Sequence, residues 1–336
     1  MRKLLLFLIS FLVGLGLFVW ILKFVGWPEI KNAFLVFTGW QGIVIFGLTL
    51  LIMLVGNWKW REILKSGGAN ISFFKLLRIY LASFSIRFLA PIILGGSELF
   101  QGYVLKKRNS VAWSKGMASI IIDRILEWTA NLIVIFLGVL IFLLMIGLPS
   151  RKLMIIFGIV FFIFAAGITY FYFKTFKRES IAKVFGKIFN QRLDSQPLET
   201  EKEIFSFFKL KNKLMWKSFG LSFLRAGIML IRTWLLIIFL GKNVGALSAL
   251  SILGFTYLAV MIPIPTALGS HEAIQTFAFS SLGLGLPIAT AFTMILRGAE
   301  LLIALVGVII LLRLGVIFFK NFLSRRLEKL TNQNDF

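Results

Sequence analysis

From Trp128 to Leu148 the chain runs for 21 residues without a charged side chain. At about 1.5 Å per helical residue this run is about 30 Å long, the thickness of a bilayer's hydrocarbon core. Comparable stretches, apolar or nearly so, lie at about 4–25, 41–57, 153–173, 218–240 and 287–314. A core that buried all of them would need far more polar surface than a chain with 59% hydrophobic residues and a mean hydropathy of +0.91 can supply. The fold class is therefore all-α and polytopic in a membrane, with about six full spans. The ten-residue alternating strands of a transmembrane barrel are absent.

The formal net charge of +23 points at first to nucleic acid, but its placement points to lipid. Counted along the expected topology, 26 Lys and Arg fall on the side of the N-terminus and five on the other. That asymmetry places both termini in the cytoplasm of a multi-pass plasma-membrane protein, with the basic loops against anionic lipid. Met1-Arg2-Lys3 precedes an apolar stretch too long for a cleaved leader, so it reads as an uncleaved first span. With no cysteine and one histidine, no disulfide, metal centre or other cofactor is expected. No ATP-binding G-x-x-x-x-G-K-[ST] loop is present.

Two apolar stretches break before they can span. Residues 79–93 are interrupted by Arg87 and stopped at Pro91, and a short segment after Gly95-Gly96 ends at Lys106-Lys107-Arg108. Basic residues at both outer ends put those ends on one side, so the pair reads as a re-entrant hairpin. Irregular backbone at that depth is tolerated only against protein or a wet cavity. Residues 246–262 run into Pro263 and Pro265, and 272–282 complete a second hairpin. Thus Pro91-Ile-Ile-Leu-Gly-Gly-Ser-Glu98 recurs as Pro263-Ile-Pro-Thr-Ala-Leu-Gly-Ser-His-Glu272. Glu98 and Glu272 are 174 apart, while Arg124 to Arg297 and Glu127 to Glu300 are each 173 apart.

With corresponding spans opposed in direction, the unit 1–316 reads as two inverted repeats, about 1–148 and about 151–316. Residues 174–217 would be a basic cytoplasmic loop with a flexible middle at Ser195-Gln196-Pro197. Residues 317–336 would be a basic cytoplasmic tail with a disordered end.

An ionisable group at the centre of a span costs at least about 2.5–3.5 kcal/mol, so it normally faces a partner or a wet path. Glu98, Asp123, Arg124, Glu127, Arg225, Arg232, Glu272, Arg297 and Glu300 are the candidates for binding substrate. Arg225, Arg232 and Arg297 are the phosphate-binding candidates, because a guanidinium forks onto two oxygens. The carboxylates would balance charge or meet a cationic headgroup. A second reading stands beside this one: the pairs Arg124/Glu127 and Arg297/Glu300 lock helices together, and Arg225 and Arg232 pair with Glu98 or Glu272. Asp123 and Arg124 could also lie at the inner interface, where charge costs little.

The tips Gly95, Gly96, Ser97 and Gly269, Ser270, His271 precede short restarting helices. Their amides would point into the membrane and attract anions, with Ser97 or Ser270 as the N-cap. Alternatively Glu98 and Glu272 only cap their own half-helices, and His271 is a satisfied interior histidine.

These two motifs, with Asp123-Arg124-Ile-Leu-Glu127 and Arg297-Gly-Ala-Glu300 after them, resemble a known family over about 5–316. It is the transmembrane, flippase-like domain of lysylphosphatidylglycerol synthases, found also as stand-alone membrane proteins. His271 stands where a small residue is more usual in it. The resemblance implies translocation of a phospholipid or lipid-linked headgroup between leaflets by a non-enzyme. In the synthases a separate soluble domain performs aminoacyl transfer, and 336 residues leave no room for one here. The rival readings are a proton-coupled small-solute transporter, a membrane-embedded lipid transferase and a scaffold docking a partner through residues 174–217. No reading involves nucleic acid, and the oligomeric state stays open.

Overall fold

A computed structural model describes residues 39–89, 95–147, 151–181, 183, 195–261 and 270–331. Among them are ten helices and no strand: α1 Gly39–Ser66, α2 Phe73–Leu89, α3 Gly96–Asn109, α4 Trp113–Ile146, α5 Arg151–Lys177, α6 Ser195–Phe207, α7 Lys213–Phe239, α8 Ala246–Met261, α9 Ser270–Ser281 and α10 Leu286–Thr331. Four are long and apolar enough to cross a membrane: α1, α4, α7 and α10, the last over Leu286–Leu314. Their outer faces carry exposed Phe136, Leu140, Leu144, Leu302, Leu305 and Ile309, a surface suited to lipid rather than water.

The centre of the molecule is the pair α1 and α7, which run antiparallel. Trp40 packs on Phe239 at 5.0 Å between ring centroids, and Arg232 donates to Thr49. Further along, Lys217 pairs with Glu62 and Asn212 donates to Ser66. Ascending residues of α1 thus meet descending residues of α7. Around this pair the main hairpin contacts recur when the two halves are exchanged. The long α4 packs on α8 as α10 packs on α2, α3 on α4 as α9 on α10, and α2 on α3 as α8 on α9.

The crossings match residue by residue. At α2/α10 a Cβ on Gly307 would lie 2.3 Å from the Leu81 carbonyl oxygen and 2.0 Å from Ser85 Oγ. At α4/α8 the backbone of Gly254 lies against Gly138, and a Cβ on Gly254 would stand 3.4 Å from the Val134 carbonyl oxygen. Leu81 and Gly254 are 173 apart, as are Val134 and Gly307. One glycine has changed sides between the two crossings, but the backbones meet at the same place. Small residues permit such approaches, and close packing replaces the hydrophobic effect between helices in lipid. Ser85 adds hydrogen bonds to the Leu81 carbonyl at 3.0 Å and the Ala304 carbonyl at 2.7 Å.

Two expectations change. α1 does not end with the apolar stretch near residue 57; it continues to Ser66, and Lys59 and Trp60 are each 1% exposed. Trp60 Nε1 donates to Ser119 Oγ on α4 at 3.1 Å, which turns an apparent membrane belt into interhelical packing. Second, the stretch begun by Ser195-Gln196-Pro197 is no flexible middle but the first turn of α6, where proline's missing N–H costs nothing. Thr200, Ile204 and Phe207 recur at helical spacing and bury one face, the two apolar ones beside Ile122 and Ile125 of α4. Glu201 holds this helix by accepting from Ser180 Oγ and the Ile181 amide, each at 2.5 Å. The last helix, α10, extends to Thr331. The expected first span, the prolines at 91, 263 and 265, and residues 332–336 lie outside the described residues.

Candidate functional site

The charged side chains gather between the central helices and the hairpins. On the first hairpin, α3 starts after Gly95, a left-handed N-cap with φ 77°. Ser97, expected as the N-cap, lies instead inside the first turn and donates from Oγ to Glu98 Oε2 at 2.6 Å. A left-handed cap suits glycine, which has no Cβ to clash. The turn aims Glu98 at α4, where Arg124 Nε meets Glu98 Oε1 at 3.2 Å. The same guanidinium reaches Glu127 one turn on, Nη1 to Oε2 at 3.0 Å. Glu127 also receives Arg225 of α7 on Oε1. Lys59 of α1 pairs with Asp123 at 3.0 Å and donates to its carbonyl at 3.2 Å, with side chains 2% and 8% exposed. Lys59, Glu127, Asn131, Ser222, Arg225 and Tyr257 surround a cavity with room for about one water. Arg225 Nε is buried without a hydrogen-bond partner among the described residues.

The second half repeats part of this arrangement. Arg297 Nε meets Glu272 Oε1 at 3.3 Å, the same atoms as in the Arg124–Glu98 pair, and Glu272 is 2% exposed. Arg232 reaches Glu300 Oε1 at 3.4 Å and Thr49 Oγ1 at 3.1 Å. Arg232 corresponds to Lys59 and Thr49 to Ser222, both at the 173 offset. So the cation–hydroxyl neighbourhood on one side of the α1/α7 pair has a counterpart on the other. Tyr257 lies within electrostatic reach of Arg225, Glu127 and Arg232, between the two clusters. Its hydroxyl points to Met229 Sδ at 2.9 Å.

The structure therefore joins Glu98, Asp123, Arg124, Glu127 and Arg225 around one cluster. It joins Arg232 to Glu300 and Arg297 to Glu272. The partners of Arg225 and Arg232 are Glu127 and Glu300, where the sequence had offered Glu98 or Glu272. Asp123 is 5% exposed and enclosed by protein beside Lys59. Of the tips, Gly95, Gly96 and Ser97 are placed as described and Ser270 begins α9. Gly269 and the side chains of Ser270 and His271 lie outside the described parts. Lys59 was missed as a site residue, although its 173 offset from Arg232 marks it. Arg87, Tyr257 and Thr49 also join the site.

Residues 7–307 match the family described as the lysylphosphatidylglycerol synthase TM region. A curated relative, the UPF0104 membrane protein PH1989 of Pyrococcus horikoshii, is 26% identical over 274 residues, which is 76% of this chain and 80% of that protein. No solved structure matches the chain. The match covers both hairpins, the central pair and every charged residue placed above, and the chain belongs to the lysylphosphatidylglycerol synthase transmembrane-region family.

Proposed function

We propose that this protein moves the headgroup of a phospholipid or lipid-linked molecule between leaflets, as a transporter and not an enzyme. The observation that carries the reading is a set of buried and half-buried ion pairs on either side of the α1/α7 pair. They tie each hairpin to the long helix after it and that helix to α1 or α7, and each ion costs energy in a low-dielectric setting. A polar seam beside a lipid-facing surface can carry a headgroup while the acyl chains stay outside. The antiparallel α1/α7 pair and the exchangeable helix contacts support two inverted repeats, each with spans and a re-entrant hairpin, six spans in all. The loop charges support cytoplasmic termini in the plasma membrane and anionic lipid at that face. The described cavity holds about one water, so a headgroup enters only after the hairpins part.

The test is translocation of labelled lipids in proteoliposomes, comparing the protein with Glu98→Gln and Arg297→Gln. Movement of one lipid class, abolished by either substitution in folded protein, is the expected result. No movement of any lipid refutes the reading. A proton-coupled solute transporter is favoured by one observation, the Glu127 carboxylate lining a water-sized cavity; solute-dependent proton uptake without lipid movement would establish it. Inversion has its own test, since the chain has no native cysteine. A cysteine at Gly96 should label from the cytoplasmic side and one at Ser270 from the opposite side.

A further inference from the structure

Every acidic residue of the helical core is already held by a cation. The sequence has 14 Asp and Glu. Glu29, Asp194, Glu328 and Asp335 fall in connecting or terminal segments whose side chains are outside the described parts. Glu179, Glu199, Glu201 and Glu203 belong to the basic segment around α6. The other six are paired: Glu62 with Lys65 and Lys217, Glu98 with Arg124, Asp123 with Lys59, Glu127 with Arg124 and Arg225, Glu272 with Arg297, and Glu300 with Arg232.

Arg87 is left over. It sits in the last turn of α2, half-buried, with its guanidinium carbon 5.9 Å from the Phe84 ring centroid. It makes no ion pair or hydrogen bond among the described residues. Arg124, Glu127 and Arg225 all lie within its electrostatic reach. The first cluster thus holds four cations, Lys59, Arg87, Arg124 and Arg225, against three carboxylates, Glu98, Asp123 and Glu127. Among the described residues the second holds Arg232 and Arg297 against Glu272 and Glu300, and these four balance. At the position equivalent to Arg87, 173 residues on, stands Val260, which is 59% exposed.

The helix macrodipole favours a cation at the end of α2 by about 0.3–1 kcal/mol. Insertion of an arginine at depth costs about 2.5–3.5 kcal/mol. The dipole alone does not offset the charge, and the Phe84 contact adds only about 0.5–2 kcal/mol.

We propose that Arg87 is the receptor for a singly charged phosphodiester headgroup, whose one negative charge completes the balance of the first cluster. This rests on the lipid-translocation reading and narrows it to a substrate class. Diacylglycerol phosphodiesters such as phosphatidylglycerol and polyprenyl-phosphate sugars share that chemistry. A phosphomonoester would overshoot by one charge, and a zwitterionic headgroup brings a cation that competes with Arg87. The planar fork of Arg87 suits two phosphate oxygens, so lysine replaces it only in part.

The test measures binding apart from transport. Full-length protein in detergent is titrated with phosphatidylglycerol, a polyprenyl-phosphate sugar, phosphatidylcholine and phosphatidic acid, and its thermal unfolding is followed. Either monoanion should stabilise the protein more than the other two lipids, and the stronger of the two names the source. Arg87→Gln should weaken that binding by about tenfold to a hundredfold, and Arg87→Lys by less. Without lipid, Arg87→Gln should unfold at the same temperature as the parent or higher, because no partner among the described residues is lost.

Equal stabilisation by all four lipids, or a preference that survives in Arg87→Gln, overturns the assignment. So does an Arg87→Gln protein that fails to fold, since it would reveal a partner for Arg87. The proteoliposome assay then separates the two ideas. Lipid movement with no dependence on headgroup or Arg87 refutes the receptor and keeps the transporter. Monoanion binding through Arg87 without movement of any lipid keeps the receptor and refutes the transporter.

Discussion

Removing half of the Lys59–Asp123 pair should destabilise the protein far more than removing all of it. The two charges are 3.0 Å apart and nearly sealed from solvent, at 2% and 8% exposure. At an effective dielectric of about 20, their attraction is about 5–6 kcal/mol. Dehydrating each ion costs several kcal/mol, so the intact pair contributes little net stability. Lys59→Met leaves the Asp123 carboxylate buried beside an apolar chain and should cost about 3–5 kcal/mol. Asp123→Leu should fall at the lower end of that range, because Glu127 still lies within reach of Lys59. Leucine is the natural choice, since Leu296 occupies the equivalent place in the second half. The double variant should return to within about 1 kcal/mol of the parent. Reversible unfolding by SDS in mixed micelles, followed by tryptophan fluorescence, gives the three differences. If the two single effects simply add, to within about 0.5 kcal/mol, the residues are not coupled and the buried pair is wrong.

Glycine substitutions should separate backbone contact from mere presence in a helix. Gly307→Ala puts a methyl against the Leu81 carbonyl and should cost about 1–3 kcal/mol or more by the same unfolding titration, with Gly138→Ala similar against the Leu250 carbonyl at 2.6 Å. Gly227→Ala and Gly298→Ala meet nothing within 4 Å and should be neutral or stabilising by up to about 1 kcal/mol. Glu127→Gln strips one carboxylate from two arginines and should destabilise by about 3–5 kcal/mol. Glu300→Gln should cost less, because Glu300 is 29% exposed and its pair with Arg232 is longer, at 3.4 Å. Glu201→Ala removes the acceptor that ties α6 to Ser180 and Ile181, and trypsin should then cut between residues 183 and 213 faster than in the parent.

The seam reads as more than a lock between helices when its energetics are set beside its symmetry. Buried ion pairs can usually be replaced by apolar side chains at no loss of stability. In the second half Leu296 stands where the first has Asp123, and Val260 where it has Arg87, while Arg232, the counterpart of Lys59, pairs with Glu300 instead. What both halves retain is the carboxylate at each hairpin tip, the arginine that meets it and a cation on the central helix. Those groups connect the hairpin of one half to the spans around it. The residues that differ are Asp123 and Arg87, whose charges cancel, and Arg225 of α7, whose counterpart is Ile52; together they leave the first cluster with one cation more than its carboxylates.

How much of this was legible before the structure follows from the geometry itself. Apolar length alone marks α4, α7 and α10, because the bilayer imposes one dimension on every span. The hairpin pairs Glu98–Arg124 and Glu272–Arg297 unite residues already singled out, and the offsets of 174 and 173 make them equivalent. α6 was obscured by its own polarity and its proline, for its apolar face answers to α4 and not to lipid. Lys59 was obscured by Trp58, Trp60 and Arg61, which together imitate an interfacial anchor.

The partners of Arg225 and Arg232 were hidden for a deeper reason. In an antiparallel pair of equivalent helices, residues that correspond do not touch, so an offset names counterparts but not neighbours. One observed contact removes that ambiguity. Given that Arg232 meets Thr49, exchange of the halves requires Lys59 to lie beside Ser222, and the two do line one cavity. Given that Leu81 meets Gly307, it requires Gly254 to lie beside Val134, and it does. The repeat carries half of the contact information, and a single crossing between α1 and α7 supplies the rest.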